Sequence, residues 1–461
     1  HYGGMSQATI RNLDPATGEL IEEVPCATGA DVQAAVARAR AAWPAWRDME
    51  SSQRLDLVRA ALERMGEQAP ELGAVLSREM GKPLERAVGE VRGYVQRLTE
   101  ELERVAQAIA PEIVPGSEDR VLLTREPHGV VAVITPWNFP VGMPAQMLVP
   151  ALGAGNTVVF KPSEHVPLTG AYLARLFQEQ LPEGVLELLQ GEGAVGAALV
   201  DADVDMVAFV GSRATGIAIM RSAAGGLKRV VLELGGKDPL IIFADSDLEA
   251  AALSATQFSL SNTGQVCCSV ERVLVESSVA EKIEELVLKE VANWPFGDPL
   301  AKGTCMGPLV SESQRDNVVA HVADAREKGA RIAIGGELPE GPGWFYPATV
   351  IVDAPEDAKV RQDETFGPVV CLSTFETEEE AIEKANDTVY GLGANVWTSD
   401  PERGQRVSAA LRAGQVGVNR YLGGAPGTPW VGARQSGMGF LGGIEGHRQF
   451  TSPKTVATAP A

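Results

Sequence analysis

Short continuous runs of apolar residues recur through the middle of the chain. They are spaced about 20 to 30 residues apart, and the stretches between them are compatible with helices. A strand that is apolar at every position is typical of a parallel sheet covered on both faces. We therefore predict a doubly wound α/β sheet, which binds ligands where loops leave the carboxyl ends of its strands. The runs are residues 130–134, 157–160, 185–189, 206–210 and 230–232.

The flanking regions have different patterns. The chain before about residue 110 is predicted to be helical, and Thr28 with Asp31 gives an N-cap signal for its first long helix. Residues 111–127 predict an extended hairpin with charge at its turn. The tail from Thr451 fits an edge strand or a frayed terminus equally well. A second α/β region extends to about residue 435, with strand-like runs at 239–243, 350–352, 369–372 and 414–418.

The composition narrows the class of protein. The chain has 461 residues, 45% of them hydrophobic, which suits a large globular protein of two or three domains. Its net charge of −21 argues against nucleic acid and anionic membrane surfaces as partners. Five cysteines, two of them adjacent, are not a disulfide framework, so we expect a reducing compartment, the cytoplasm. Neither a long apolar run nor a signal-peptide pattern is found, and no membrane span is expected.

Cys267 is the first candidate for chemistry. It stands in the segment SNTGQVCC, between a helix-like run and the strand-like residues 273–275. After a glycine-containing turn, a cysteine can lie near a helix end, where backbone amides favour the nucleophilic thiolate. The alternative is a buried cysteine that only packs, which is the commoner role of an isolated one. The choice between the two depends on residues elsewhere in the chain.

Two polar residues after strand-like runs suit the chemistry of a carbonyl group. Asn138 lies between prolines in TPWNFP, and this rigid turn fixes the direction of an amide, as an oxyanion hole requires. Glu233 ends an apolar run before two glycines, a setting that can raise a carboxyl pKa and suit a general base for water. Each residue also fits a plain interpretation, because Asn and Pro commonly form turns and a terminal Glu is commonly solvated.

Other segments suit a nucleotide. Lys161 and Glu164 follow the second apolar run, where a carboxylate can accept hydrogen bonds from ribose hydroxyls and repel a 2′-phosphate. A solvated surface pair is the alternative. Two turns compete for the pyrophosphate, namely residues 191–196, a literal G-x-G-x-x-G, and residues 211–216 after the next strand. The pattern by itself does not choose between these turns.

Glu364 and Phe366 occur together in the segment ETFGP. A carboxylate beside an aromatic face on a rigid turn suits a ribose and a flat ring, although the segment is also an ordinary turn. The five histidines show no metal-binding spacing, so no metal site is predicted.

Six specific segments follow one another along nearly the whole chain: PWNFP, KPSE, FVGS, LELGGK, GQVC and ETFGPV. Cys267 stands 34 positions after Glu233, and Lys161 stands 23 positions after Asn138. In content, order and spacing, these segments resemble the NAD(P)-dependent aldehyde dehydrogenase superfamily. The resemblance implies an α/β fold with a Rossmann-type cofactor domain, an α/β catalytic domain and a small β oligomerisation arm.

The resemblance also implies where these parts lie. The cofactor domain is expected at residues 5–110 and 128–235, and the catalytic domain at residues 236–435. Residues 111–127 and 451–461 are expected to form the oligomerisation arm of a homodimer or homotetramer.

The resemblance further implies a role for each matching residue. Cys267 would be the nucleophile that carries the thiohemiacetal and the thioester, Glu233 the base for water, and Asn138 an oxyanion donor together with the Cys267 N–H. The turn at 211–216 would bind the cofactor in place of 191–196, and Glu164 would favour NAD over NADP. Implied cofactor-binding residues are Thr135, Pro136, Trp137, Lys161, Ser163, Glu164, Gly211, Ser212, Leu234, Glu364 and Phe366, and implied substrate-pocket residues are Gln146, Ser261, Val266 and Cys268.

Departures from the family's patterns bear on the substrate. Succinate-semialdehyde dehydrogenases carry arginines at the positions of Gln146 and Ser261, so a dicarboxylic semialdehyde is disfavoured unless Arg420 or Arg434 reaches the pocket. Relatives that transfer the acyl group to coenzyme A lack a carboxylate at the position of Glu233, so hydrolysis is favoured. The expected function is oxidation of a small aldehyde to a carboxylic acid with NAD, and these two classes are the alternatives.

Overall fold

The computed structural model describes residues 8–114 and 121–458. Within them the chain forms two mainly parallel sheets with helices, and the predicted α/β class is confirmed. The strands are β1 (Thr9–Leu13), β2 (Leu20–Pro25), β3 (Glu112–Ile113), β4 (Val121–Pro127), β5 (Val130–Ile134), β6 (Thr157–Lys161), β7 (Leu186–Leu188), β8 (Met206–Val210), β9 (Arg229–Glu233), β10 (Asp238–Ile242), β11 (Val270–Glu276), β12 (Arg331–Ile334), β13 (Thr349–Val352), β14 (Val369–Phe375), β15 (Gly393–Trp397), β16 (Gln415–Val418), β17 (Trp430–Val431), β18 (Gly437–Met438), β19 (Phe440–Leu441) and β20 (Thr451–Ala457).

Helices fill most of the remaining chain. The α-helices are α1 (Gly29–Asp48), α2 (Ser51–Glu67), α3 (Ala69–Met80), α4 (Leu84–Ile109), α5 (Gly142–Gly153), α6 (Pro167–Gln178), α7 (Gly193–Asp201), α8 (Arg213–Ala224), α9 (Leu248–Leu260), α10 (Ala280–Val291), α11 (Glu312–Glu327), α12 (Lys359–Gln362), α13 (Glu378–Asn386), α14 (Pro401–Ala410) and α15 (Gly443–Arg448). The 3₁₀ turns are Ser261–Gly264, Ser277–Val279 and Arg434–Ser436.

The first sheet contains the five predicted apolar runs. Its strand order is β18-β9-β8-β5-β6-β7, and it is parallel except for the two-residue strand β18 at one edge. Every residue of β5, β6 and β8 is buried. Residues of α2–α6 share a core with one face of the sheet, and residues of α1, α7 and α8 share a core with the other. The predicted segments PWNFP, KPSE, FVGS and LELGGK therefore leave this sheet at one edge, the carboxyl ends of its strands.

The N-terminal region agrees with its sequence pattern only in part. Thr28 caps α1, because its hydroxyl accepts from the Asp31 N–H (3.2 Å) while the Asp31 carboxylate accepts from the Thr28 N–H (2.7 Å). The hairpin of β1 and β2 precedes this helix and was missed, since the region was predicted to be helical. The hairpin has no apolar run to reveal it, because β2 is largely exposed.

The second sheet has seven strands in the order β12-β13-β14-β11-β10-β15-β16. It is parallel except for β12, which is antiparallel to β13. All the strand-like runs predicted for this region are strands, at β10, β11, β13, β14 and β16. The segment GQVC lies between α9 and β11, and the segment ETFGPV leads into β14, so both belong to this half of the molecule.

A third sheet joins the predicted hairpin to the tail. β3 pairs with β4, and β20 pairs antiparallel with β4 along its whole length, from Thr451 opposite Pro127 to Ala457 opposite Val121. The tail is therefore a strand, the first of the two alternatives. The predicted charged turn at 115–120 and the last tail residues, 459–461, lie outside the described residues. The domain limits predicted from the resemblance stay predictions.

Candidate active site

A cavity of about 510 Å³ lies where the loops of the two large sheets meet. Predicted residues that line it are Pro136, Trp137, Asn138, Gln146, Gly211, Ser212, Glu233, Leu234, Ser261, Val266, Cys267, Cys268, Glu364 and Phe366. Predicted residues outside this lining are Thr135, Lys161, Ser163 and Glu164. The structure thus brings together all three predicted catalytic residues and most of the predicted cofactor and substrate residues.

Asn138 is fixed on both its side-chain and its backbone atoms. Its amide Nδ2 donates to the Gln265 carbonyl (3.1 Å), two residues before Cys267. Its own carbonyl accepts from Lys82 Nζ (2.9 Å) and from Asn262 Nδ2 (3.1 Å). Because an amide nitrogen carries two N–H groups, one donor remains for another acceptor. The contacts hold the loop after β5 against the loop that carries the cysteine.

A buried ion pair lies behind the Asn138 loop. Lys82 and Glu90 are paired and almost fully buried. Glu90 Oε1 accepts from the backbone N–H groups of Val141 (3.1 Å) and Gly142 (3.0 Å) at the start of α5, where helical N–H groups lack internal partners. Burial lowers the pKa of Lys82, and Glu90 partly restores it. Neither residue was singled out in the sequence, because a Lys and a Glu near a helix start ordinarily face solvent.

The cysteine loop has an unusual backbone. After α9, Asn262, Thr263 and Gly264 all have positive φ angles, of 54°, 58° and 72°. A side chain at Gly264 would overlap the backbone of Gly367, so the close approach requires glycine. The loop is further held by the hydrogen bond from Thr263 Oγ1 to the Gly307 carbonyl (3.1 Å). Consecutive left-handed residues store strain that the surrounding contacts must offset, and such strain is common at functional sites.

Cys267 lines the cavity beside Cys268. It follows the 3₁₀ turn Ser261–Gly264. The side-chain hydrogen bond with Cys268 and then burial raise its pKa well above the usual value, and the nearby carboxyl of Glu364 adds to this. Cys268 is paired with Tyr421, whose Oη lies 2.9 Å from its Sγ. The interpretation that backbone amides at a helix end favour the Cys267 thiolate stays a prediction.

Glu233 ends β9 and points into the same cavity. No donor in residues 8–114 and 121–458 reaches its carboxyl oxygens at hydrogen-bonding geometry, and its side chain is buried. Burial raises its pKa well above the usual range, which the nearby backbone of Leu441 only partly offsets. A carboxylate in this setting is a stronger base than one in water.

Glu364 and Phe366 form the opposite wall. Glu364 Oε1 accepts from the Gly236 N–H (3.2 Å), and a side chain at Gly235 would overlap the Glu364 carboxyl. Burial raises the pKa of Glu364 to about 8, and Glu271 contributes to this rise. The Phe366 ring meets the Trp137 ring edge to face, with centroids 5.4 Å apart. This contact joins the wall to the PWNFP loop.

A second buried ion pair lies behind this wall. Lys237 and Glu271 are paired, and Glu271 accepts from the N–H groups of Thr365 (2.8 Å) and Phe366 (2.9 Å). Lys237 Nζ also donates to Thr365 Oγ1 (3.2 Å). From α11, the amide of Gln314 donates to the Phe366 carbonyl (2.9 Å). The segment that carries Glu364 is therefore held from several directions.

The two competing glycine turns have different places. Gly211 and Ser212 line the cavity, and Ser212 caps α8 by accepting from the Thr215 N–H (3.3 Å). The turn at 191–196 leads into α7, outside the lining, and a Cβ on its Gly196 would lie 3.6 Å from Lys161 Cδ. The turn at 211–216 is thus the one that opens on the cavity.

The remaining predicted cofactor residues lie beside the cavity. Lys161 Nζ donates to the Pro162 carbonyl (3.0 Å) and lies 3.7 Å from Glu164 Oε2. Burial lowers the pKa of Lys161, and Glu164 partly offsets this. Thr135 donates its N–H to the Lys161 carbonyl (3.2 Å), and Ser163 Oγ accepts from the His165 N–H (3.3 Å). The His165 ring in turn lies 6.2 Å from the Trp137 ring, which lines the cavity.

Several lining residues were missed. They come from α4, from the end of α9 and from the chain after β16, namely Tyr94, Arg97, Phe258, Tyr421 and Trp430. Tyr94 and Arg97 are three positions apart, so they share a face of α4, but nothing in the sequence says that this face meets a cavity. Arg420 and Arg434, suggested as substitutes for the missing arginines, are not among the lining residues.

The comparison with known proteins decides the family. The sequence profile of the aldehyde dehydrogenase family matches residues 3–456. Peroxisomal aminoaldehyde dehydrogenase 2 of Pisum sativum is 40% identical over 460 residues, covering 96% of this chain and 91% of that protein. The mitochondrial succinate-semialdehyde dehydrogenase of Arabidopsis thaliana is 38% identical over 454 residues, covering 97% of this chain and 86% of that protein. The chain belongs to the aldehyde dehydrogenase family.

Solved structures agree with this assignment. Lactaldehyde dehydrogenase from Escherichia coli superposes with a TM-score of 0.95 at 33% identity, covering 98% of this chain and 96% of that one. Betaine aldehyde dehydrogenase from Staphylococcus aureus, solved with NAD⁺, superposes with a TM-score of 0.93 at 33% identity, covering 98% and 91%. The resemblance drawn from the six segments is confirmed, and this aldehyde dehydrogenase is an NAD(P)-dependent enzyme that oxidises an aldehyde.

The cavity of this aldehyde dehydrogenase fits a dinucleotide. Glu364 is a half-buried carboxyl that accepts from the Gly236 N–H and forms no salt bridge within the described ranges, so it suits the hydroxyl groups of a ribose. Gly211 and Ser212 place the N-terminus of α8 at the cavity, and such a terminus binds phosphate. The described residues contain no cluster of acidic, histidine or cysteine side chains that could hold a metal ion. Nor does that part of the chain contain a helix long and apolar enough to cross a membrane.

Proposed function

We propose that this aldehyde dehydrogenase forms a covalent intermediate on Cys267 and hydrolyses it with the help of Glu233. The supporting observation is that Cys267 and Asn138, from two separate loops, and Glu233, at the end of β9, line one cavity. A binding protein without turnover would have no physical need for a thiol, a fixed amide donor and a desolvated carboxyl at one place.

The first step is addition to the aldehyde. The Cys267 sulfur, as its thiolate, forms a bond to the carbonyl carbon, and the electron pair of the C=O bond moves to oxygen. The free N–H of the Asn138 amide and the Cys267 backbone N–H donate to that oxyanion. Loss of one such donor typically costs roughly 10²–10³ in rate. Because the contacts to Gln265 and Lys82 hold Asn138 in place, little reorganisation is needed.

Hydrolysis is the second task of the chain's own residues. When bound, the nicotinamide supplies the acceptor for the aldehyde hydride, which leaves a thioester on Cys267. Glu233 takes a proton from water, and the resulting hydroxide adds to the thioester carbon. The C–S bond then breaks, Cys267 leaves as a thiolate, and the product is a carboxylic acid. The raised pKa of Glu233 makes it a base of suitable strength for this proton transfer.

Variants of the adjacent cysteines test the nucleophile. We expect Cys267→Ala to abolish formation of reduced cofactor with any aldehyde. Cys268→Ala is the matched control, because it removes a neighbouring buried thiol, and it should retain turnover. Formation of reduced cofactor is followed by absorbance in a folded sample. Full activity in Cys267→Ala would contradict the proposal.

The fate of the thioester is tested by the product. We expect free acid with or without coenzyme A, and Glu233→Gln should slow hydrolysis by about 10²–10⁴. A first-turnover burst of reduced cofactor should persist in this variant. If coenzyme A were required and acyl-coenzyme A were the product, the enzyme would belong to the acylating class instead.

We also propose NAD as the preferred cofactor. In support, Glu164 is partly exposed beside Lys161 at the carboxyl end of β6, where its charge would repel a 2′-phosphate. Pro136, Trp137, Gly211, Ser212 and Leu234 are proposed to line the site. A lower KM for NADP than for NAD would contradict this, and Glu164→Gln should narrow the preference.

The third sheet supports a proposal about assembly. Ile113, Leu122 and Val456 are apolar residues exposed on its strands, with exposed fractions of 55%, 37% and 40%. We propose that this oligomerisation arm joins copies into a homodimer or homotetramer, which light scattering can measure. Free thiols at Cys267, Cys268, Cys305 and Cys371 support a reducing compartment, the cytoplasm.

A further inference from the structure

One positive charge faces the cavity. Arg97, on α4, is the cationic residue among the described side chains that line it, whereas the lining carboxyls are Glu233 and Glu364, already placed in hydrolysis and cofactor binding. The guanidinium lies beside the loop before β17, since a Cβ on Gly424 would be 3.6 Å from Arg97 Nη2. Arg97 therefore stands apart from the proposed cofactor wall.

A second residue of α4, Tyr94, shares the cavity with Arg97 and Cys267. It lies one helical turn before Arg97 and lines the same cavity. Burial raises the pKa of its hydroxyl, Glu90 raises it further, Arg97 lowers it, and the thiols of Cys267 and Cys268 raise it. Tyr94, Arg97, Cys267 and Cys268 thus line one cavity. A molecule with its carbonyl at Cys267 therefore lies in a cavity whose walls include both Tyr94 and Arg97.

Arg97 has no counter-ion among residues 8–114 and 121–458. It forms no salt bridge with any residue in the described ranges. Of the two carboxylates one turn further along α4, Glu100 is exposed and Glu101 contacts other residues. Glu90 is paired with Lys82, and Glu101 contacts His447 Nε2 (2.7 Å) and Arg104 Nη1 (2.8 Å). A half-buried guanidinium without a partner favours binding of an anion, because its desolvation is otherwise uncompensated.

The other lining groups suit an organic anion. Phe258, Tyr421 and Trp430 supply apolar surface, and the Phe258 and Tyr421 rings are stacked with centroids 3.6 Å apart. Gln146 is buried, and its amide has no hydrogen bond to another described residue, so it offers a further donor. Aromatic surfaces also attract cations, but a guanidinium in the same space repels them.

We propose that Arg97 binds a carboxylate at the far end of the substrate, so that the preferred substrates are aldehydes that carry a carboxylate. This inference rests on the proposed function and adds the substrate class to it. The planar guanidinium matches a carboxylate through two parallel hydrogen bonds. The sequence disfavoured this class because residues 146 and 261 are not arginine; the structure supplies an arginine from another helix.

Matched pairs of aldehydes test the proposal. One pair is succinate semialdehyde and its neutral amide, and the other is 4-carboxybenzaldehyde and 4-formylbenzamide, so that each pair differs in charge at nearly constant size. We expect a higher kcat/KM for the carboxylate in at least one pair. Arg97→Gln should lower that value by about 10- to 100-fold, as expected for loss of a charge-assisted hydrogen-bond pair, and leave the amide nearly unchanged. Arg97→Lys should recover part of the loss.

The control is Arg92→Gln, which removes an exposed arginine from the same helix and should change neither substrate. If Arg97→Gln lowers kcat/KM equally for carboxylate and amide, Arg97 has only a structural role and the inference is wrong. A preference of the unmodified enzyme for 4-aminobutanal over succinate semialdehyde would also overturn it. Turnover of no aldehyde at all would instead contradict the proposed function, so the two failures are distinguishable.

Discussion

The two loops that face each other across the cavity are held by the same kind of buried ion pair, but the pairs are built differently. Glu90 accepts from two successive N–H groups, of Val141 and Gly142, and its partner Lys82 contacts the Asn138 carbonyl. Glu271 likewise accepts from the successive N–H groups of Thr365 and Phe366, and its partner Lys237 contacts the Thr365 hydroxyl.

The difference lies in what each pair connects. Lys82 and Glu90 are eight positions apart around the start of α4 and contact the loop that carries the proposed oxyanion donor. Lys237 and Glu271 come from distant parts of the chain and contact the loop that carries the proposed ribose ligand. Two similar ion pairs thus support two different loops. Loss of the first pair should mainly lower kcat, and loss of the second should mainly raise the KM for NAD.

The largest effect is expected from Lys82→Met. The Asn138 carbonyl loses one of its two donors and keeps only Asn262. A displacement of about 1 Å at a catalytic group can cost about 10² in rate. We expect kcat to fall by about that factor while the KM for NAD stays nearly constant. Because a broken buried pair also costs about 3–5 kcal/mol of stability, thermal unfolding must be measured in parallel. The double variant Lys82→Met/Glu90→Gln should be more stable than the single one, and an unchanged kcat in both would contradict the positioning role.

Lys237→Met should show the opposite kinetic pattern. The segment from Glu364 to Phe366 loses a charged support, so we expect the KM for NAD to rise by about tenfold, the equivalent of one charge-assisted hydrogen bond. The fall in kcat at saturating NAD should be smaller than in Lys82→Met. Steady-state kinetics with varied NAD measures both constants. Equal losses of kcat in the two variants would show that the loops are not separately supported.

The protonation state of Glu364 should make the affinity for NAD depend on pH. Its pKa is raised to about 8, so in the free enzyme it is mostly protonated below that pH. A ribose hydroxyl donates best to the ionised carboxylate, so the affinity for NAD should increase as pH rises towards about 8 and then level off. Titration of tryptophan fluorescence with NAD measures this, and Glu364→Gln should remove the dependence. An affinity that falls as pH rises from 6 to 8 would be the wrong sign.

The smallest effect concerns the contact between the two loops. The edge-to-face pair of Trp137 and Phe366 should contribute about 0.5–1.5 kcal/mol beyond burial. A double-mutant cycle with Trp137→Leu and Phe366→Leu should give a coupling free energy of unfolding in that range. If the changes in free energy of unfolding of the two single variants simply add up in the double variant, the contact between the rings does not stabilise the protein.

The sequence predicted the parts of this protein that depend on continuous local patterns. Strands β5, β6 and β8 are buried at every position, so their apolar runs are unambiguous, whereas the exposed hairpin of β1 and β2 has no such signal. The clustering of Cys267, Asn138 and Glu233 was predicted from motif order. Lys82, Glu90 and Arg97 were missed, because their surroundings depend on how α4 packs against loops far away in sequence.

The pairing of β20 with β4 has a consequence for how the protein is made. Lys454 and Thr124 are 330 positions apart, and Gly437 in β18 completes the edge of the first sheet beside Glu233. On a ribosome that adds about 5–20 residues per second, β4 waits roughly 15–65 s for its neighbour. During that time, the backbone N–H and C=O groups on the unpaired edge of β4 can form hydrogen bonds with other chains. The nascent chain therefore needs protection at that edge until β20 emerges.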